Sequence, residues 1–194
     1  EAAGRVMEHL RGAAGIVRME VAGSLRRRRE TGQDVDILVA ARERDAGRII
    51  ARFTGMPGVR EKLAEGSTKG SVILAGGPAT RHGEQAAGKL QIDLRVIPVE
   101  SWGAALQYFT GSKAHNVRLR EEAVRQGFKI NEYGLFRVAK NGKETRVAGA
   151  SEEEIYERLG FRYIPPELRE DRGELDAARA DALPRLVERQ ALRG

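Results

Sequence analysis

Cysteine is absent from the 194 residues, which excludes disulfides and thiolate metal sites and leaves the redox compartment open. No apolar run approaches the ~20 residues of a membrane-spanning helix, and the N-terminus lacks the apolar core of a signal peptide. Glu1 in place of Met suggests a processed or excised start. No P-loop, HExxH or GxSxG occurs. His9, His82 and His115 are too scattered for a zinc site, and their plainer account is as ordinary surface or helix residues. Lysine is scarce: only 7 of the 34 basic residues are Lys and 27 are Arg. Arginine forks suit phosphates, but a GC-rich genome gives the same bias, and composition alone does not separate the two. What is present is a 41% hydrophobic complement, enough for a core, and a length that fits one large or two small domains. The net charge is +6. It divides into +4 over residues 1–100, +5 over 101–149 and −3 over 150–194, so a polyanion would bind the first three-quarters.

The stretch Gly23 to Asp36, GSLRRRRETGQDVD, sets anion-binding groups a short loop away from two carboxylates. Asp34 and Asp36 alternate with Val35 on a strand, so both point to one face. Asp-x-Asp alone is weak evidence, since such pairs often sit in turns. Here the pair opens the apolar run DILVA, and acids opening a buried strand need a partner for their charge. A hard divalent cation such as Mg²⁺ would supply one. A third acid, Asp93, lies in KLQIDLRVIP, where Gln91, Asp93 and Arg95 share a polar face and Ile92, Leu94 and Val96 the apolar one. Two strands can thus bring three carboxylates to one place. The arginines 26–29 could be a solvated face. They also follow a Gly-Ser turn that exposes backbone N–H groups, and Ser24 and Arg27 share a face on a helical turn.

The order of elements predicts an α+β fold. A helix over Ala3–Ala14 is followed by strands at Ile16–Val21 and Val35–Val39, with a helical turn between them. Then come a helix at Glu43–Phe53, strands at Val59–Leu63, Lys69–Ala75 and Lys89–Val96, and a surface loop at 76–88. This first unit, 1–99, reads as a mixed sheet flanked by helices. A second unit, 100–166, has helices at Ser101–Phe109 and Lys113–Gln126, a small sheet around the Asn141-Gly142 turn, and a helix opened by a Ser151/Glu154 capping box. Residues 167–194 read as an acidic connection to an absent domain, helical at Leu183–Leu192. Lys113, Asn116 and Arg120 form one polar helix stripe, for which an exposed face is the plainer account. Tyr108 and Phe109 would ordinarily be core aromatics; the nearby Gly111 lets a ligand approach the backbone.

Together, GS-x-RR with D-x-D, the IDLR strand, YFTGSKAHN and KINEYGLF resemble DNA polymerase family X over nearly the whole chain. The Asp-x-Asp by itself would fit the wider nucleotidyltransferase superfamily. The sequence is similar to bacterial, polymerase-beta-like members: a nucleotidyltransferase palm over 1–99 and a nucleotide-selecting thumb over 100–166. The resemblance implies a DNA-directed DNA polymerase filling short gaps in repair by two-metal phosphoryl transfer. It implies Asp34, Asp36 and Asp93 as catalytic ligands of two Mg²⁺ ions, with Mn²⁺ as an alternative. It implies Ser24 and Arg27 as triphosphate contacts, and Tyr108, Phe109 and Gly111 as the wall against the nucleotide sugar. Asn116 would meet the minor-groove side of the incoming nucleotide, and Arg120, with Lys113, the DNA. The implied partners are gapped primer-template DNA and a dNTP, with no membrane, for a monomer in the cytoplasm, associated with the nucleoid. Upstream helix-hairpin-helix segments and a downstream phosphoesterase domain, expected in the family, are not in this sequence. Two departures stand out. Gln33 takes a place usually held by Gly, which bears on the shape of the phosphate loop. Gln91 takes one held by Arg in polymerase beta, which bears on activation of the primer hydroxyl. The alternatives are a template-independent nucleotidyltransferase and a degenerate nucleic-acid-binding module.

Overall fold

The apolar run that follows Asp36 becomes the second strand of a five-stranded sheet, and it is buried on both faces. The computed structural model describes residues 2–29, 34–77 and 88–185. In chain order the first unit is α1 (Ala2–Leu10), β1 (Ile16–Val21), the single helical turn α2 (Gly23–Arg26), β2 (Asp34–Ala41), α3 (Glu43–Thr54), β3 (Val59–Glu65), β4 (Lys69–Gly77) and β5 (Gly88–Ile97). The sheet order is β1-β2-β5-β4-β3. β2 and β5 are parallel and the other neighbours antiparallel, so the sheet is mixed as expected.

Alternation along β2 explains its double burial. Val35, Ile37 and Val39 face α1 and α3, against Val6, Leu10, Ile49, Ile50 and Phe53. Leu38 and Ala40 face the other way, against Trp102, Ala105 and Leu106 of α4 (Trp102–Thr110). Each fully buried aliphatic of this kind stabilises by roughly 1.5–3 kcal/mol relative to exposure. Asp36 shares the α4-facing side but stands two residues before Leu38, where that cover ends.

The second unit continues with α5 (Lys113–Arg125), β6 (Phe128–Asn131), β7 (Gly134–Val138), β8 (Glu144–Ala148), α6 (Glu152–Arg158) and α7 (Glu174–Arg179). Its sheet has three strands in the order β6-β7-β8. Asn141 Oδ1 accepts from the Lys143 N–H in the expected turn. Ser151 Oγ accepts from the Glu154 N–H, and the Glu154 carboxylate returns to the N–H groups of Gly149 and Ala150, so the capping box closes one residue wide of its usual geometry.

Two expected helices differ in extent. α1 stops at Leu10, and Gly12 takes a positive φ of 75° before Ala14 is reached. In the C-terminal segment the helix is Glu174–Arg179, with Leu175 and Ala178 in the second unit's core. Residues 182–185 are irregular, and the rest of the helix expected at Leu183–Leu192 lies outside the described residues. So do most of the expected 76–88 loop, His82 and Gln33.

Candidate active site

Parallel pairing sets Asp36 directly beside Asp93, and Asp34 beside Gln91. Asp36 and Asp93 are partly buried, while Asp34 is exposed where β2 opens. The two inner carboxyls have opposite electrostatics. Burial pushes the Asp36 carboxyl up, and the charges of Asp93 and then Asp34 push it further against the pull of Arg95 and Lys69. Burial also works against the charged form of Asp93, but hydrogen bonds from Gln91 and Ser71 and the nearby Lys69 ammonium outweigh it and hold that carboxyl below its ordinary value. Ser71 Oγ lies 2.7 Å and Gln91 Nε2 3.0 Å from Asp93 Oδ1, and Lys69 Nζ lies 3.4 Å from Oδ2. Among the described residues no three His, Asp or Glu side chains are gathered into a metal-ligand cluster. The structure brings Asp36 and Asp93 together and leaves Asp34 at the rim.

The Gly-Ser turn sits against this pair. The Ala22 N–H donates to the Asp36 carbonyl at 2.8 Å, which ties the turn to β2. Gly23 has a φ of 63°, and a Cβ there would run into the Asp36 carboxylate, so only glycine serves on both counts. The arginines that follow are all engaged by acids of the second unit. Arg26 forms a two-pronged pair with Glu152, at 2.9 and 2.7 Å. Arg27 Nε donates to Glu170 at 2.9 Å and its Nη1 to the Thr110 carbonyl at 2.5 Å. Arg28 pairs with Glu167, and Arg29 with the same Glu170 oxygen.

α4 delivers the second unit's groups to this rim. Tyr108 and Phe109 pack edge to face, with centroids 5.0 Å apart, and both are half-buried. The Arg95 guanidinium lies 4.6 Å above the Phe109 ring, joining that ring to the polar face of β5. Gly111, with a φ of 68°, leaves room for Arg27 Nη1, which a Cβ would meet at 3.3 Å. On α5, Lys113 and Arg120 are exposed. Asn116 is turned inward, its Oδ1 accepting from Gln107 and its Nδ2 donating to the Tyr108 carbonyl, both at 2.7 Å.

The sequence is similar to those of known proteins. The family model described as DNA polymerase beta thumb matches residues 105–170. The chain is 34% identical over 171 residues to a Bacillus subtilis protein named DNA polymerase/3'-5' exonuclease PolX, an alignment covering 88% of this chain. It is 29% identical over 147 residues to the Repair DNA polymerase X of an African swine fever virus isolate, covering 76% of this chain and 78% of that protein. These matches support a place for the chain in DNA polymerase family X. The chain spans about a quarter, 27%, of the length of the Bacillus relative.

Seen as a family X chain, several of its contributing residues escape sequence reasoning. Ser71 and Lys69 of β4 are unremarkable in sequence, and only the β4–β5 pairing, which sets Ser71 opposite Asp93, brings them to the carboxylate. Gln91 was visible as a departure from the family; here it is a hydrogen-bond donor to Asp93. Glu170 and Glu152 belong to acidic stretches whose partners in the arginine run 26–29 lie more than a hundred residues away, so spacing carries no signal for that pairing.

Proposed function

We propose that this chain carries the nucleotidyl-transfer centre of a DNA-directed DNA polymerase that fills short gaps in repair. The observation that supports this best is the parallel β2–β5 register, which sets Asp36 against Asp93 with the Gly23 backbone packed onto the Asp36 carboxylate. The names of the relatives, a polymerase with exonuclease in Bacillus subtilis and a repair polymerase in the virus, point the same way.

The donor chemistry fits hard divalent ions. Asp36 is pushed up by burial and by repulsion from Asp93 and Asp34 that Arg95 and Lys69 only partly offset, and oxygen donors of this kind suit Mg²⁺, with Mn²⁺ as an alternative. Asp34, Asp36 and Asp93 would hold two such ions, which when bound neutralise phosphate charge and acidify the primer hydroxyl. The chain's own groups do the rest by position and charge. Asp93, kept ionised by Ser71, Gln91 and Lys69, accepts the 3′-hydroxyl proton. Ser24 and the Gly23–Ser24 backbone cradle the triphosphate, and Arg27 turns from Glu170 to it. Tyr108, Phe109 and Gly111 form the wall against the sugar, and Asn116 meets the nucleotide base. Arg120, with Lys113, faces the DNA.

The test is incorporation of labelled dNMP on a gapped primer-template, beside a template-free single strand, with Asp93→Asn as the control. Templated insertion is expected, and Asp93→Asn should slow it by at least ~10²–10⁴. Equal extension of the template-free strand would favour a template-independent nucleotidyltransferase, and no extension by the wild type a nucleic-acid-binding module.

A further inference from the structure

The Asn116 amide is held by groups that the chemistry of the acids does not involve. Gln107, on α4 and 2% exposed, donates from Nε2 to Asn116 Oδ1. Asn116 Nδ2 spends one hydrogen on the Tyr108 carbonyl, which leaves its second N–H as the uncommitted donor. The side chain is thus fixed with its oxygen toward α4 and its nitrogen toward the end of that helix.

His115, the residue before Asn116, is held from deeper inside. The Tyr156 side chain behind it is fully buried. Its hydroxyl lies 2.8 Å from His115 Nε2, and His115 Nδ1 lies 2.6 Å from Glu174 Oε1. His115 is fully buried and Glu174 nearly so. Burial works against the Glu174 charge, but His115 and the backbone N–H groups of Arg172 and Asp171 overcome it and bring the carboxyl down to about 2. An ionised carboxylate only accepts, so His115 Nδ1 carries the proton. Burial lowers the His115 pKa and keeps the ring neutral, so Nε2 must accept from Tyr156. Once Glu174 is charged, both bonds of the His115 ring have a single allowed direction.

Resting on the polymerase reading of the site, we propose that Gln107 is a positioning residue that, from its buried place on α4, fixes the Asn116 amide so that it meets the incoming nucleotide with an N–H donor. A donor is what the site requires, because the minor-groove edge of every correct pair offers an acceptor, N3 of a purine or O2 of a pyrimidine. An amide free to turn over would present its oxygen to that acceptor half the time.

The experiment compares single-turnover insertion of dATP and 3-deaza-dATP, which lacks the N3 acceptor, opposite a template thymine at pH 8. The wild type should lose roughly three- to tenfold with the deaza nucleotide, the worth of one hydrogen bond. Gln107→Glu places an acceptor-only group against the Asn116 oxygen. It should insert dATP about as poorly as the wild type inserts 3-deaza-dATP, with less than about a twofold further loss on the deaza substitution. Gln107→Leu keeps the bulk and removes the donor to the Asn116 oxygen; it should shrink the penalty in the same sense and carries the test if Gln107→Glu does not fold. A merely structural role would slow both nucleotides equally and leave their ratio at the wild-type value, which overturns the proposal. So would a wild type that inserts both equally well. A wild type that inserts neither would instead sink the polymerase reading itself.

Discussion

Asp36 is the residue at which the proposed function and stability pull apart. Its carboxyl is raised by burial and by Asp93 and Asp34, so at neutral pH the fold carries a charge it would be more stable without. The sign follows from linkage: a carboxyl whose folded pKa lies above its unfolded value destabilises the ionised native state, and protonation or neutral replacement relieves it. Asp36→Asn should therefore raise the urea midpoint by the equivalent of ~0.5–2 kcal/mol at pH 7 while abolishing insertion. Equilibrium denaturation of the two proteins checks this, and a destabilised variant would show that the carboxylate contributes more through contacts than it costs through repulsion. The pair of acids was legible in the sequence because period-two alternation places Asp34 and Asp36 on one face whatever the fold. That Asp93 lies beside Asp36 was legible only as an option, since no sequence pattern states which strands pair or in which register.

At the scale of the element, α5 divides its polar stripe between two duties. Asn116 is committed inward to Gln107 and Tyr108, whereas Arg120, one turn on, is exposed and has no ion pair among the described residues. A solvated arginine would be nearly neutral to remove, within roughly ±0.5 kcal/mol of stability. If it reads the nascent pair, Arg120→Ala should slow correct insertion strongly and mismatched insertion less. Pre-steady-state insertion of a matched and a mismatched dNTP measures the ratio, and an unchanged ratio would return Arg120 to the solvent. The i, i+3, i+7 spacing announced a shared stripe but not its division, because that depends on which neighbour reaches which side chain. His115 shows the same limit. In sequence it reads as an ordinary surface or helix residue; it is a helix residue, and Glu174 and Tyr156 close over it completely.

Across the whole molecule, the arginine run is a joint. Arg26 to Arg29 of the first unit meet Glu152, Glu167 and Glu170 of the second. Glu152 is buried between Arg26 and the fully buried Arg169, 2.6 Å from its Nη1. Removing that carboxylate would leave two guanidinium groups uncompensated, so Glu152→Gln should destabilise by about 3–5 kcal/mol, read from chemical denaturation. A near-wild-type midpoint would mean that water replaces the lost charge. Glu170 acts at the joint's exposed edge, on the same arginine that would hold the triphosphate. A nucleotide must displace it, and Glu170→Gln should tighten dNTP binding a few-fold, about the worth of one partly exposed pair. A titration showing equal or weaker binding would mean that Glu170 orients Arg27 for the phosphate instead of competing for it. Acid should loosen the second unit in two stages of one sign. His115 has a folded pKa below its ordinary 6.5, so the stability it contributes is present above that value and lost as pH falls. Glu174 falls from 4.5 to about 2 on folding, so its contribution is lost between those values. Melting temperature measured down this range should decline throughout, and a flat profile from 6.5 to 4.5 would place the His115 charge in a partner's compensation.

By itself the sequence determined the run of elements, the α+β class, and which residues could carry chemistry. Those properties rest on local periodicity, turn residues and charge, which act over a few neighbours and survive any packing. Tertiary structure decided the company each group keeps. It set Asp36 beside Asp93 by a parallel register, drew Ser71, Lys69 and Gln91 around Asp93, and turned Asn116 inward onto Gln107. It also folded residues 167–179 back onto the second unit, where the acids of that stretch neutralise arginines more than a hundred positions earlier. Long-range pairing is governed by burial and desolvation of whole faces at once, and no window of the chain contains both sides of that balance.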